Sequence, residues 1–261
     1  MKIVIFKGGI GNQLFQYQLY RYLESKGNLV YYKDRSNKYM SHNGLELNKY
    51  FCVNIKPIPK WLDVFFTFGN KILIRLVNSL YATEDVFKEN ALWYNGYWQD
   101  NRYCTENVSF RNLTLSNRNQ KVVEQIKNNN SVFIHVRRGD YLQPNTAKRY
   151  GGICTIDYYN NAILVIQNEM TEPRFFVFSD DIEWCRNNLS IPSAQFIDWN
   201  KGDDSIWDMY LMSYCKGGII ANSTFSYWGA RVGENKIVVY PKKWFADKPA
   251  PNIFLSNWIG L

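Results

Sequence analysis

Apolar and polar positions fall along this chain in blocks whose spacing predicts alternating strands and helices. Residues 2–6 (KIVIF) are an apolar run broken by Lys7-Gly8-Gly9, and apolar side chains then recur at Phe15, Leu19, Tyr22 and Leu23. That three-to-four-residue spacing is one face of a helix. Residues 29–32 (LVYY) read as a second strand. Strand, tight turn, helix and strand together predict a parallel βαβ unit. A polar stretch at 116–120 (SNRNQ), a short helix and Asn128-Asn129-Asn130 read as a junction, after which the pattern restarts. Strands are expected at 131–136, 174–178, 194–197, 218–221 and 236–240. A helix bearing Tyr159, Ile163, Ile166 and Met170 follows Thr155, whose hydroxyl suits an N-cap. Further helices are expected over 203–216 and 224–233. Such alternation predicts an α/β fold with mostly parallel sheets, in two domains, 1–128 and 129–261.

Composition narrows this picture. The chain has 261 residues, 46% of them hydrophobic, enough to bury a substantial core. Its net charge of +8 points to an anionic partner: a nucleic acid, an anionic lipid surface or a phosphate-bearing small molecule. Five scattered cysteines without C-x-x-C and only two histidines give no zinc pattern, and fit a reducing cytosol. The opening Met1-Lys2-Ile3-Val4 leads into a run too short for a secretory signal, so a cytoplasmic location is expected. No stretch of about 20 apolar residues is present. Residues 61–81 are apolar but carry Asp63, Lys71 and Arg75. They read either as a helix pair in the core or as a helix lying peripherally on the inner membrane.

In parallel α/β folds, ligands bind where strand ends meet helix starts, so those four places carry the candidate chemistry. Residues 135–141 (HVRRGDY) end the strand at 131–136. Arginine forks bind two phosphate oxygens and keep their charge, which suits a diphosphate. The alternative is that Arg137 or Arg138 pairs with Asp140 to pin the turn, but two arginines against one local acid leave a positive surplus. By the period of two along a strand, Arg137 shares a face with His135, and Arg138 becomes the expected partner of Asp140. Residues 178–181 (FSDD) end another strand, and Asp180 with Glu183 resembles a capping box. Asp180 and Asp181 could also accept hydrogen bonds from a ribose or a guanine edge. No D-x-D occurs, which leaves charge neutralisation to the arginines. Asn222, Ser223, Thr224, Phe225 and Ser226 lie where a strand enters a helix, as caps or as an anion site. Near the start, Gly9-x-Gly11 is half of a dinucleotide fingerprint, and Asn12 and Gln13 can hydrogen-bond a sugar.

Together the ordered stretches GGIGNQ, HVRRGDY, FSDD and IIANSTFSYWGA resemble the bacterial α-1,2-fucosyltransferases of glycosyltransferase family 11, over nearly the whole chain. The resemblance implies a GT-B-like α/β architecture of two facing Rossmann-like domains, the C-terminal one binding GDP-L-fucose and the N-terminal one helping to build the acceptor side. It implies inverting transfer without a metal or other cofactor, to the 2-hydroxyl of a galactose-terminated glycan of O-antigen or capsule type. Arg137 maps to the arginine that contacts the diphosphate and Arg138 to its support. Ser223, Thr224 and Phe225 map to the phosphates and Asp208 to a nucleobase contact. Asp140 and His135 are the candidate bases nearest by motif, and Gly11, Asn12 and Gln13 the candidates for positioning the acceptor. Two departures stand out: glycines replace an expected histidine within Cys215-Lys216-Gly217-Gly218, and Tyr227 stands where tryptophan is usual. The competing readings are a fucosyltransferase of another linkage or acceptor, and a basic nucleic-acid-binding protein. Against the latter, the arginines form no stripe and no nucleic-acid-binding motif occurs.

Overall fold

The structure is a computed structural model, described here for residues 1–36, 43–64, 80–83, 87–191, 193–233 and 236–261. The chain divides into two compact units, Met1–Arg111 and Asn112–Leu261. This boundary falls before the helix Asn117–Lys127 rather than after it. The helix buries Val122, Val123 and Ile126, and polar ties hold it within the second unit: Asn119 Nδ2 donates to Asn200 Oδ1 at 3.0 Å, and Trp199 Nε1 donates to Asn119 Oδ1 at 2.8 Å.

In the first unit the apolar run becomes β1 (Lys2–Phe6), every residue of it buried. A strand apolar on both faces belongs inside a parallel sheet. It does: the order is β2 (Val30–Asp34), β1, β4 (Trp93–Asn95), β3 (Tyr81–Thr83), with every pair parallel. Between β1 and β2 runs α1 (Ile10–Ser25), which buries Leu14, Phe15, Leu19, Tyr20 and Leu23. It also buries Gln13, Gln16 and Gln18, polar groups that stay inside because backbone groups satisfy them. A short α2 (Leu47–Tyr50) follows β2. Strands β3 and β4 are three residues each, too short for a periodic signal, and the sequence pattern did not predict them. Most of the segment 61–81 lies outside the described residues. Among the described residues no helix is long and apolar enough to cross a membrane.

The second unit opens with α3 (Asn117–Lys127) and the strand β5 (Ser131–Val136), buried along its whole length. Its sheet has the order β10-β9-β8-β5-β6-β7, all parallel. The remaining strands are β6 (Arg174–Ser179), β7 (Gln195–Ile197), β8 (Gly217–Ile219), β9 (Ile237–Tyr240) and β10 (Ile259–Gly260). The connecting helices are α4 (Pro144–Tyr150), α5 (Ile156–Glu169), α6 (Ile182–Asn188), α7 (Ile206–Tyr214) and α8 (Thr224–Val232). Thr155 caps α5 as its position predicts, accepting the Tyr158 N–H at 3.3 Å. Val132, Ile134, Val136, Ile163, Ile166, Phe175, Val177, Ile219 and Val239 form the core of the unit. Full burial of each such side chain contributes roughly 1.5–3 kcal/mol, which makes β5 the anchor of the sheet.

The two departures noted in the sequence lie at closely packed positions. A side chain at Gly218 would overlap the ring of Phe133 on the adjacent strand, so no histidine fits there. Tyr227 is buried, and its hydroxyl donates to Ile253 O at 2.8 Å.

Candidate functional site

Strand order locates the crevice. From β5 the chain proceeds to β6 and β7 on one side, then returns to β8, β9 and β10 on the other. The direction reverses between β5 and β8, the kind of switch point at which open parallel sheets hold ligands. The loops leaving those two strands are 137–140 and 220–223. Registers bring them level: Ile134 pairs with Ile219, and Tyr141 Oη donates to Asn222 O at 2.9 Å.

The register on the other side of β5 decides how the arginines are held. Val136 pairs with Ser179, so Arg137 and Arg138 emerge beside Asp180 and Asp181. Arg137 Nε donates to Asp140 Oδ1 at 2.8 Å and lies 3.3 Å from Asp180 Oδ2. Arg138 Nε donates to Asp181 Oδ2 at 3.1 Å, and its guanidinium stacks 4.0 Å from the Trp184 ring centre. This overturns two expectations. Arg137, not Arg138, is the partner of Asp140, because β5 ends at Val136 and the alternation of faces stops before either arginine. Nor is there a positive surplus: Asp140, Asp180 and Asp181 face the two arginines. Burial works against the Arg137 charge, but Asp180 and Asp140 outweigh it and its pKa is raised. Both arginines are gripped through Nε, and no hydrogen bond ties their terminal Nη groups to a described residue.

Asp180 is not the helix cap. Asp181 caps α6 by accepting the Trp184 N–H at 3.2 Å, one position later than the capping-box pattern implied. Asp180 instead accepts the backbone N–H of Arg138 at 2.9 Å and of Gly139 at 3.1 Å, clamping the turn. A Cβ at position 139 would lie 2.9 Å from Asp180 Oδ2, which is why that residue is glycine.

At the start of α8 the residues divide. Ser223 is the N-cap, accepting the Phe225 N–H at 3.3 Å. Asn222 is buried, its Nδ2 donating to Tyr150 O at 3.1 Å and Trp244 O at 3.2 Å. Ser226 is buried and donates to Ser223 O. The side chains of Asn222, Ser223 and Ser226 are thus committed to the fold, and Thr224 and Phe225 are the partly exposed members of the stretch. Phe225 lies 5.7 Å from the ring of His135. His135 is buried, its Nδ1 has no hydrogen-bond partner among the described residues, and burial, then the Arg137 charge, push its pKa down to about 3. It is neutral across the physiological range and a poor proton acceptor. Asp140 is half exposed.

Asp208 lies in the first turn of α7 and accepts from Asn200 Nδ2 at 2.8 Å. Burial raises its pKa to about 8, with the Asn200 hydrogen bond opposing, so near neutrality it is largely protonated and can donate. Asn200 and Asn119 link it to α3. Within the first unit, Gln13 is fully buried: Nε2 donates to Gly8 O and Gly44 O, and Oε1 accepts the Glu46 and Leu47 N–H groups. All its capacity is used, so it braces the loop at 44–47 and has nothing left for a sugar. Gly11 is buried, whereas Asn12 is partly exposed. Sequence reasoning gave no role to Tyr141, Tyr150 and Trp184, which pack against the loops of the second unit. Their signal lay in the tyrosine that ends HVRRGDY and in an aromatic one turn past FSDD.

A parallel sheet with an arginine pair at its switch point and a capped helix start beside it is an arrangement suited to a ligand with anionic oxygens. The comparisons agree: residues 76–261 match Glycosyl transferase family 11. The chain is 31% identical to the O-antigen biosynthesis glycosyltransferase WbnK of Escherichia coli, covering 97% of this chain and 98% of the relative. It is 31% identical to an alpha-1,2-colitosyltransferase of Escherichia coli, covering 94% of this chain and 93% of the relative. A galactoside alpha-(1,2)-fucosyltransferase 1 of Saimiri sciureus is 29% identical over 50% of this chain and 38% of its own length. The chain belongs to glycosyltransferase family 11.

Proposed function

We propose that this glycosyltransferase transfers L-fucose from GDP-fucose to the 2-hydroxyl of a terminal galactose in an O-antigen or capsule-type glycan, with inversion and without a metal. The observation that carries the reading is the grip on Arg137 and Arg138. Each is fixed by carboxylates at Nε, so its terminal nitrogens remain to receive phosphate oxygens at the switch point. The names of the relatives supply the sugar and the linkage. Membership of a glycosyltransferase family favours this reading over the nucleic-acid-binding one.

As the glycosidic bond breaks, negative charge grows on the β-phosphate and positive charge on the sugar. Arg137 meets that phosphate charge bidentately, Arg138 supports the turn and the donor, and Thr224 faces the phosphates from the start of α8. Asp208 is the nucleobase contact, donating a proton it retains near neutrality. Attack by the acceptor hydroxyl needs a proton acceptor. Of the two candidates we assign this to Asp140, because His135 is buried and too weakly basic. His135 and Phe225 instead wall the donor site. The reaction is assigned to the cytoplasm, which five free cysteines fit.

A second reading is colitosyl transfer, favoured by the colitosyltransferase among the relatives. Incubating the protein with GDP-fucose or GDP-colitose and a panel of β-galactosides separates the two. Fucosylated galactoside is the expected product. Product with the colitose donor alone would replace the donor assignment, and no transfer from either donor would refute the reading.

A further inference from the structure

At the C-terminal edge of the first unit's sheet lies a second cluster that the donor chemistry does not use. Strands β1 and β4 are parallel neighbours, so the loops that leave them, 7–9 and 96–99, lie side by side. Gly8 adopts φ +75°, and a Cβ there would lie 3.0 Å from Asn12 Nδ2 and 3.2 Å from the Tyr97 ring. A bare backbone at Gly8 therefore lets Asn12 and Tyr97 close over it. The loop from β4 is held from below by Trp98, buried against Tyr94 and Tyr103 with φ +55°. Left-handed backbone at a bulky residue costs on the order of 1–3 kcal/mol, and such strain persists mainly where a site needs it. Here it places Tyr97 and Gln99 on either side of the anchored Trp98.

The polar groups of this cluster are oriented by one another. Gln99 Nε2 donates to Asn12 Oδ1 at 3.1 Å, and Lys7 Nζ donates to Asn95 Oδ1 at 3.0 Å. Each amide spends one half on its neighbour. Among the described residues nothing takes Asn12 Nδ2, Asn95 Nδ2 or Gln99 Oε1, and these partly exposed residues flank the partly exposed Tyr97 ring, whose centre lies 5.0 Å from Lys7 Nζ. Adjacent hydroxyls of a pyranose each need a donor or an acceptor at this spacing. The C–H face of a galactose is an apolar patch that suits the electron-rich face of an aromatic ring.

We infer that Tyr97, Gln99, Asn12 and Asn95 form the platform for the neutral terminal sugar of the acceptor, with Tyr97 under the ring and the three amides on its hydroxyls. Gln13, which the sequence suggested for this task, braces the platform from inside through Gly8 and the loop at 44–47. The inference rests on the proposed transfer to a galactoside for the identity of the sugar.

The test measures acceptor KM and kcat with GDP-fucose and a β-galactoside that the wild type fucosylates. Tyr97→Ala and Gln99→Ala should each raise KM by about tenfold, the scale of one lost neutral contact. Tyr97→Phe, which keeps the ring, should remain near wild type. The rise in melting temperature caused by GDP should be the same in every variant, because the nucleotide is held by the other unit. Unchanged KM in both alanine variants overturns the inference, as does a KM change that appears only together with loss of the GDP response. Should no β-galactoside be fucosylated, saturation-transfer NMR with methyl β-D-galactopyranoside decides independently. A signal lost in Tyr97→Ala and kept in Tyr97→Phe supports the platform while the transfer reading fails. A wild type without signal, or a signal indifferent to Tyr97→Ala, refutes the platform.

Discussion

Arg137 and Arg138 are adjacent in sequence and have different holders. Arg137 sits between Asp140 and Asp180, and Arg138 between Asp181 and the face of Trp184. A lysine can supply the charge of Arg137 but not an Nε anchor together with a free fork. Arg137→Ala should lower kcat by roughly 100-fold or more, as loss of one oxyanion-type donor does, and Arg137→Lys should recover little of it. Steady-state kinetics on variants with wild-type melting temperatures checks this, and full recovery by lysine would show that charge alone matters. His135 yields a pH prediction. Its folded pKa of about 3 lies below the ordinary value of 6.5, so between these limits the unfolded chain binds a proton that the folded one does not. Stability is therefore intact above pH 6.5 and falls as the pH drops toward 3, with a slope approaching about 1.4 kcal/mol per pH unit. Denaturant titrations of His135→Gln across that range should lack this component of the slope. At this scale the sequence made the arginines legible but not the aspartates that grip them. Asp180 and Asp181 are some forty residues away in sequence and meet the arginines only through strand register. Gln13 misled for the same reason: its partners Gly44 and Glu46 are remote in sequence, and a buried glutamine looks like an exposed one until they are known.

Among the elements, β1 and β5 were legible to the residue, because an uninterrupted apolar run bounded by glycine or asparagine can be little else in a parallel sheet. Strands β3, β4 and β10, at two or three residues, carry no periodicity and owe their existence to longer neighbours. The start of α6 was misplaced by one residue, since two successive aspartates offer the same cap and only the backbone decides between them. That choice gives a clean separation of roles. Asp181→Ala removes both the cap of α6 and the Arg138 anchor, and should cost about 1 kcal/mol of stability from the cap alone. Asp180→Ala leaves the cap in place and frees the Arg138–Gly139 turn, so it should impair donor binding more than stability. Chemical denaturation paired with GDP titration of the two variants distinguishes them. Equal stability losses with equal GDP affinities would contradict the division of labour.

For the molecule as a whole, a net charge of +8 pointed to an anionic partner without choosing one. Net charge does not locate the site, since Asp140, Asp180 and Asp181 offset the two arginines there; what points to it is the switch point of a parallel sheet, where both guanidinium groups are held at Nε. The two-unit organisation was legible from the restart of the strand pattern. Its boundary was not: α3 buries Val122, Val123 and Ile126 and is tied through Asn119 to Asn200, and a stripe in sequence does not say which unit it packs against. GDP at about 100 times its Kd should stabilise the protein by roughly 2.7 kcal/mol if it binds the native state alone, and a GDP-dependent melting temperature reports this directly. The most direct test of fucosyl transfer is NMR of the product formed from GDP-fucose and a β-galactoside. The account predicts an α-configured fucose whose anomeric proton correlates with carbon 2 of galactose. A correlation to any other galactose carbon, a β-configured fucose, or release of GDP with no fucosylated product would contradict it.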